Sequence, residues 1–176
     1  LLVSFPPNQF PWLTAEHKNY EELIASFESA LSPYKDLYSI VVTKHPRIKH
    51  SLEPLIKAGL TVVDEATIDL IPFAHIYLAS ASATIRWAIS SGIPVVNYDV
   101  YGHHYGDYDD ATAITTVYSN EDLKKHFKRV LEDKTYYDQV LAQQKKDSSH
   151  WGIQDGRVVE RFADLLVRAS QNGVSI

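Results

Sequence analysis

Apolar residues come along this chain in short runs and helical stripes that alternate almost from one end to the other. Leu1 to Phe5 is a compact apolar run closed by Pro6-Pro7, which predicts a buried strand and its exit loop. Tyr20, Leu23, Ile24, Phe27 and Leu31 then recur at three- and four-residue spacing. That is the stripe of an amphipathic helix, which Thr14 would cap and Pro33 would end. Tyr38 to Thr43 is rich in β-branched residues and predicts a second strand, stopped at His45-Pro46. Ile48, Leu52, Leu55 and Ile56 mark a helix ending near Gly59.

The alternation continues with a third strand over Leu60 to Val63, a short helix over Thr67 to Phe73 and a fourth strand over His75 to Leu78. A helix from Ala83 to Ser91, terminated by Gly92, leads into a fifth strand at Pro94 to Tyr98. Beyond residue 100 the pattern loosens into a polar, aromatic loop, and three helices follow near 120–132, 134–147 and 155–170. Strands separated by single helices imply βαβ units and a parallel sheet with helices on both faces. The strands lack strict alternation, as expected when both faces of the sheet are covered. The predicted fold is α/β: one doubly wound, Rossmann-like parallel sheet with additional C-terminal helices, spanning 1–176 as a single domain.

Composition narrows the function classes. There is no uninterrupted apolar run of the roughly eighteen residues a membrane span requires. The apolar start at Leu1-Leu2-Val3 has no basic segment before it, so it does not read as a secretion signal. The net charge of −5 and the lack of a basic stripe argue against a duplex-DNA binder. The cluster Lys124-Lys125-His126-Phe127-Lys128-Arg129 reads as a solvated helix face. With no cysteine there is no disulfide framework, thiolate nucleophile or cysteine-ligated metal. A cysteine-free chain without a signal fits the cytoplasm. Methionine is also absent, even at position 1, so the chain is expected to be a piece of a larger protein.

In open α/β sheets ligands bind beyond the carboxyl ends of the strands. Three strand-to-helix junctions carry unusual polar residues there. After the second strand, Lys44-His45-Pro46-Arg47 gathers N–H donors while proline fixes the turn, a fit for a phosphate or diphosphate; a merely basic surface loop is the plainer reading. After the fourth strand, Ser80, Ser82 and Thr84 place hydroxyls among small residues, open to an oxyanion or to simple helix capping. After the fifth, Asn97-Tyr98-Asp99 leads into the loop Tyr101 to Asp110, with two His, three Asp and three Tyr. Adjacent His103 and His104 lack the spacing of a metal pair, so the loop reads as a mobile one facing a sugar or acceptor.

Glu65, after the third strand, either contacts a ribose hydroxyl or caps the next helix. His17, His50 and His126 read as solvated, His75 as a satisfied structural histidine, and Trp12 and Trp87 as packing residues.

Lys44-His45-Pro46 after a strand resembles the "HP" motif of GT-B glycosyltransferases, which include bacterial sialyltransferases and capsule and teichoic-acid transferases. The Ser80-x-Ser82 turn, the helix to Gly92 and Ile93-Pro94-Val95-Val96 are similar to their "S-S/T…E-A…G-x-P-V" segment. Asp155-Gly156-Arg157 with Glu160-Arg161-Phe162-Ala163 resembles the closing helix of capsule-polysaccharide transferases. The resemblance covers residues 38 to 170. It implies the C-terminal, donor-binding half of a two-domain enzyme, with the nucleotide phosphates between the HP turn and the Ser-rich turn. His45 would be the catalytic group stabilising the leaving phosphate, and Lys44, Pro46, Arg47, Glu65, Ser80, Ser82, Thr84 and Asp99 would bind the nucleotide sugar. No metal and no cofactor is implied.

The partners implied are a saccharide or lipid-linked acceptor and an N-terminal half carrying the acceptor site. Peripheral membrane association of the parent protein is compatible with that. Two departures stand out. Arg86-Trp87-Ala88 occupies the place where many relatives carry a Glu for sugar-hydroxyl or ribose recognition, and the 101–110 loop has no counterpart. A UDP-GlcNAc 2-epimerase-like enzyme shares the architecture, though its expected acidic pair is missing. A non-catalytic Rossmann-like interaction domain is the third reading.

Overall fold

The computed structural model describes residues 1–10 and 16–171; the readings of Trp12 and Thr14 therefore lie outside the described residues. Six strands form one all-parallel sheet: β1 (Leu2–Phe5), β2 (Val41–Lys44), β3 (Thr61–Val63), β4 (Tyr77–Ala79), β5 (Val95–Tyr98) and β6 (Thr115–Val117). Their order is β3-β2-β1-β4-β5-β6. The chain builds outward from β1 in one direction, then returns to its other side with β4. The boundary between β1 and β4 is thus the topological switch point, where loops diverge and leave a crevice.

Helices α1 (Tyr20–Leu31), α2 (Glu53–Lys57), α3 (Thr67–Leu70) and α4 (Thr84–Ser90) connect successive strands, and α5 (Asn120–Glu132), α6 (Lys134–Trp151) and α7 (Val158–Gln171) close the chain. Both faces of the sheet are buried. Val3, Phe5, Leu78, Val96 and Tyr98 pack with Leu23 and Phe27 of α1 and Leu123 and Phe127 of α5. The alternate strand positions Leu2, Tyr77, Ala79 and Val95 pack with Ile85, Ala88 and Ile89 of α4. Two-sided burial explains why the strands read as continuous apolar runs.

Local differences from the sequence reading have local causes. Helix α1 is capped by Asn19, whose side chain accepts from the Glu22 N–H at 2.8 Å. The second strand begins at Val41 rather than Tyr38, because the Tyr38 N–H closes a turn on the Tyr34 carbonyl (2.9 Å). The Tyr38 hydroxyl is spent on the Leu131 carbonyl (2.8 Å). Helix α2 is only one turn long: Pro54 sits in its first turn, where it has no N–H to extend the helix backward. Gly92 closes α4 at φ +70°, and an added Cβ would press on Lys145 at 3.3 Å, so the helix stop was legible in the sequence. Strand β6 is the element the hydrophobic pattern hides, three residues at the sheet edge inside what reads as loop.

Candidate functional site

The β2 and β4 exits flank β1, so their turns stand two strands apart at the same edge, roughly 10 Å at ordinary strand spacing. Between them β1 ends in Pro6-Pro7, which turns the chain aside: the Pro6 carbonyl accepts from the Tyr20 hydroxyl (2.7 Å) and the Pro7 carbonyl from the Tyr101 hydroxyl (2.6 Å). What remains is a cleft of about 610 Å³ over the switch point. Its walls include Lys44, His45, Pro46, Arg47, Glu65, Ser80, Ser82 and Thr84. Sequence reasoning placed nine residues at a ligand; the structure gathers these eight around one cavity.

Asp99 is the exception. It is 3% exposed and does not line the cleft. Its two carboxylate oxygens accept from the backbone N–H groups of His103 (3.0 Å) and His104 (2.8 Å), so it shapes the loop from behind. Glu65 reaches the cleft wall but caps nothing, since the N-cap position of α3 is Ala66 and no side chain caps the helix.

On the β2 side, Pro46 occupies a turn in which the Ile48 N–H bonds the His45 carbonyl (2.9 Å). The His45 Nδ1 accepts from the Arg47 N–H at 3.1 Å, which leaves Nε2 to carry the proton of a neutral ring. Burial, and secondarily the Arg47 charge, hold the His45 pKa below the ordinary histidine value. His45 can therefore donate a hydrogen bond from Nε2 without being charged. Lys44 is not idle: its ammonium pairs with Asp64 just after β3, on an exposed rim.

On the β4 side the hydroxyls are ordered in a chain. Tyr77 OH meets Thr84 Oγ1 at 2.5 Å, and Thr84 Oγ1 meets Ser82 Oγ at 2.7 Å. Ala81 sits at φ +44°, a conformation unfavourable for a residue with a Cβ, and its N–H donates to the buried Asn97 Oδ1 (2.9 Å). Asn97 thus acts as the brace of this turn rather than as a ligand contact. Ser80, 9% exposed, has a buried Oγ with no hydrogen-bond partner among the described residues, and it lines the cleft. A buried hydroxyl left unpaired is costly, so this one is available to a guest.

The loop after β5 is fastened to the cleft by two tyrosines. Tyr101 is buried, with burial pushing its pKa up to about 12, and Tyr108 donates to the Ser82 carbonyl at 2.9 Å. His103 lines the cleft and stacks on Tyr105 with centroids 4.7 Å apart. His104 leans on Tyr118.

Several plain readings change. Trp87 is 43% exposed and lines the cleft, so it is not a packing residue. His17 is largely buried: its Nε2 lies 3.0 Å from Tyr98 OH, which also donates to Glu16 at 2.6 Å, and burial lowers its pKa against the pull of Glu16 and Glu22. His50 is half-buried against Tyr20, its Nδ1 unpartnered among the described residues. Burial, then the Arg129 charge, depress His126 to about 4. None of these three is solvated as expected. His75 is exposed and precedes its strand. Cleft residues that sequence reasoning did not place at a ligand include Gln9, Asp64, Thr67, Ile68 and Trp87, whereas Tyr101 and His103 belong to the loop it read as facing a sugar or acceptor. Asp64 had a signal: a charged residue immediately after a strand, at the same edge as Lys44.

No family model matches the sequence, and no curated protein sequence matches it. Solved structures do match the fold. The UDP-GlcNAc 2-epimerase from Neisseria meningitidis, solved bound to UDP-GlcNAc, superposes with a TM-score of 0.61 at 18% identity, over 95% of this chain and 44% of that one. The S. aureus MnaA–UDP co-structure gives 0.64 at 13% identity, over 97% and 45%. WaaG, a glycosyltransferase involved in lipopolysaccharide biosynthesis, gives 0.53 at 19%, over 93% and 46%. At these identities the likeness is one of fold. The chain spans less than half the length of each of these proteins. It has the Rossmann-like fold found in UDP-GlcNAc 2-epimerases and GT-B glycosyltransferases. Among the described residues no helix is long and apolar enough to cross a membrane.

Proposed function

We propose that this chain is the nucleotide-sugar-binding domain of a glycosyltransferase of GT-B type, acting in surface or capsular polysaccharide synthesis. The observation that carries the reading is the shared cleft. One wall offers the Lys44, His45 and Arg47 donors, the other the unpaired Ser80 hydroxyl beside Ser82 and Thr84. A phosphate or diphosphate would satisfy both walls at once, displacing Asp64 from Lys44. As the sugar departs, charge developing on the leaving phosphate would be met by Lys44, Arg47 and the Nε2–H of His45, whose ring the Arg47 N–H holds in place beforehand. That supply of positive charge and N–H groups is why no metal or other cofactor is required by the proposal.

The acceptor, a saccharide or lipid-linked saccharide, would come from a further domain, for which the short span of this chain against its structural neighbours leaves room. The parent enzyme would work in the cytoplasm, peripherally at a membrane if its acceptor is lipid-linked.

The test is titration calorimetry of the chain with UDP, ADP, GDP, CDP and CMP, repeated on His45→Ala. We expect one of these nucleotides to bind and the variant to lose about tenfold in affinity, the scale of one charge-assisted hydrogen bond. Equal affinity in both proteins, with full activity of the variant in the parent enzyme, removes His45 from the mechanism. A 2-epimerase is the second reading, favoured by the higher TM-score of the Neisseria meningitidis epimerase (0.61) than of WaaG (0.53). Product analysis of the parent enzyme separates an isomerised donor from a transferred sugar.

A further inference from the structure

The cleft holds an apolar feature that phosphate recognition leaves unused. In α4 (Thr84–Ser90) the residues Ile85, Ala88 and Ile89 are buried in the core, and Trp87 lies off that stripe. Its residue is 43% exposed, and it lines the cleft. Ile68 of α3, 45% exposed, lines the same cavity. An indole facing water beside a branched aliphatic side chain is a platform for a flat, weakly polar group.

The backbone beneath the indole is firmly held. The Trp87 carbonyl accepts from the Ser91 N–H at 3.0 Å, the Ser90 hydroxyl at 3.1 Å and the Gln154 side-chain amide at 3.3 Å. The position is therefore pre-set, which lowers the entropy a ligand must spend in ordering it. The cationic and small hydroxyl groups of the cleft lie on the turns after β2 and β4, while Trp87 and Ile68 supply large apolar side chains, with Glu65 and Thr67 of the β3 exit lining the same cavity.

We propose that Trp87 and Ile68 form the subsite for the nucleobase, with the indole stacking on the base while the turns hold the phosphates. This rests on the nucleotide reading of the same cleft and adds where the base goes. The indole and the Ile68 side chain offer π-overlap and apolar contact, so the platform selects for a planar base more than for one particular base. Arg86, beside Trp87, contacts Asp107 at 3.5 Å and is not among the residues that line the cleft.

The experiment compares two probes on three proteins: the tightest-binding nucleoside diphosphate of UDP, ADP, GDP and CDP, and inorganic pyrophosphate, on the wild type, Trp87→Ala and Trp87→Phe. Affinities come from calorimetry, with tryptophan fluorescence read in parallel. We expect the wild type to bind the nucleotide about tenfold or more above pyrophosphate, the scale of one aromatic–base stack. Trp87→Ala should lose that excess and keep its pyrophosphate affinity, and Trp87→Phe should retain much of it. The nucleotide-induced fluorescence change should vanish in both variants. Unchanged nucleotide affinity in Trp87→Ala overturns the base subsite and leaves the phosphate reading standing. A wild type that binds neither probe overturns both. Because Trp87 is partly exposed, Trp87→Ala should fold, and Trp87→Phe preserves a ring if it does not.

Discussion

The hydroxyl of Tyr108 donates to the carbonyl oxygen of Ser82 at 2.9 Å, fastening the loop that follows β5 onto the turn that follows β4. Tyr108 is itself 8% exposed and packs near Trp151, so the loop is anchored by a buried ring as well as by the bond. Through this contact the aromatic loop, which reads from sequence as an independent binding element, becomes part of the wall that presents Ser82.

Tyr108→Phe keeps the ring and deletes the bond. The Ser82 carbonyl retains its partner in the Ile85 N–H (3.0 Å), so no acceptor is left bare. We expect a stability loss of about 1 kcal/mol, a melting shift of roughly 2–4 °C for a chain of this size. Nucleotide affinity should fall by about three- to tenfold as the turn loosens. A melting curve and a titration on the same sample check both; a variant with lower stability and unaltered binding would detach the loop from the cleft.

Lys44 and Asp64 form an exposed ion pair at the mouth of the site. Such pairs contribute on the order of 0.5 kcal/mol, so Asp64→Asn should leave the melting temperature almost unchanged. It should, however, free the ammonium and remove a negative charge from the rim. We expect anion affinity to rise about two- to fivefold at low salt, with the advantage shrinking as ionic strength grows. A salt series of titrations reads this, and tighter binding that persists at high salt would contradict the electrostatic origin.

Much of the fold was legible because both faces of the sheet are covered. The runs Leu1 to Phe5 and Pro94 to Tyr98 announce strands through unbroken apolar character, and the stop at Gly92 announces the end of α4. The candidate site was legible by position: polar residues after strands must gather at one edge of a parallel sheet. What escaped depends on contacts between distant segments. Nothing near Asp99 in sequence tells that its carboxylate will turn back onto His103 and His104. His17 sits among polar residues, and only the fold brings Tyr98 to its ring. Trp87 is different, because its exposure follows from the spacing of Ile85, Ala88 and Ile89. That stripe assigns 87 to the outer face, whereas hydrophobicity alone argued for packing.

His126 gives a pH-dependent contribution of known sign. Burial and the Arg129 guanidinium depress its folded-state pKa to about 4, against about 6.5 in an unfolded chain. The folded protein thus resists protonation that the unfolded chain accepts. The associated stability is fully present above pH 6.5 and drains away as pH falls toward 4, by roughly 3 kcal/mol at most. His17 and His45, also depressed, act in the same direction. Melting curves of the wild type and His126→Gln between pH 7.5 and 4.5 isolate the one residue. The variant should show a shallower loss, and parallel curves would mean that His126 titrates normally.

Helix α7 (Val158–Gln171) has no buried residue, although its apolar side chains fall on a helical face: Val158, Val159, Phe162, Leu165 and Leu166 are each more than 40% exposed. Arg161 pairs with Asp155 (2.6 and 2.7 Å) and Arg157 with Glu160 (2.7 Å), while among the described residues nothing covers the apolar stripe. Arg157 and Arg161 beside the stripe are already paired with carboxylates of this chain, so a face of this kind suits protein better than an anionic lipid surface. The further domain of the proposed enzyme is the occupant we assign to it. The double substitution Phe162→Glu, Leu165→Glu should leave the melting of this chain within about 0.5 kcal/mol of wild type, as for surface changes generally. In the parent enzyme the same pair should cost stability and turnover together, because two carboxylates would then be driven against an apolar surface. Melting curves of both proteins decide it. A large loss in the isolated chain would show that its own body covers the helix, and no loss in the parent would leave the stripe without the assigned partner.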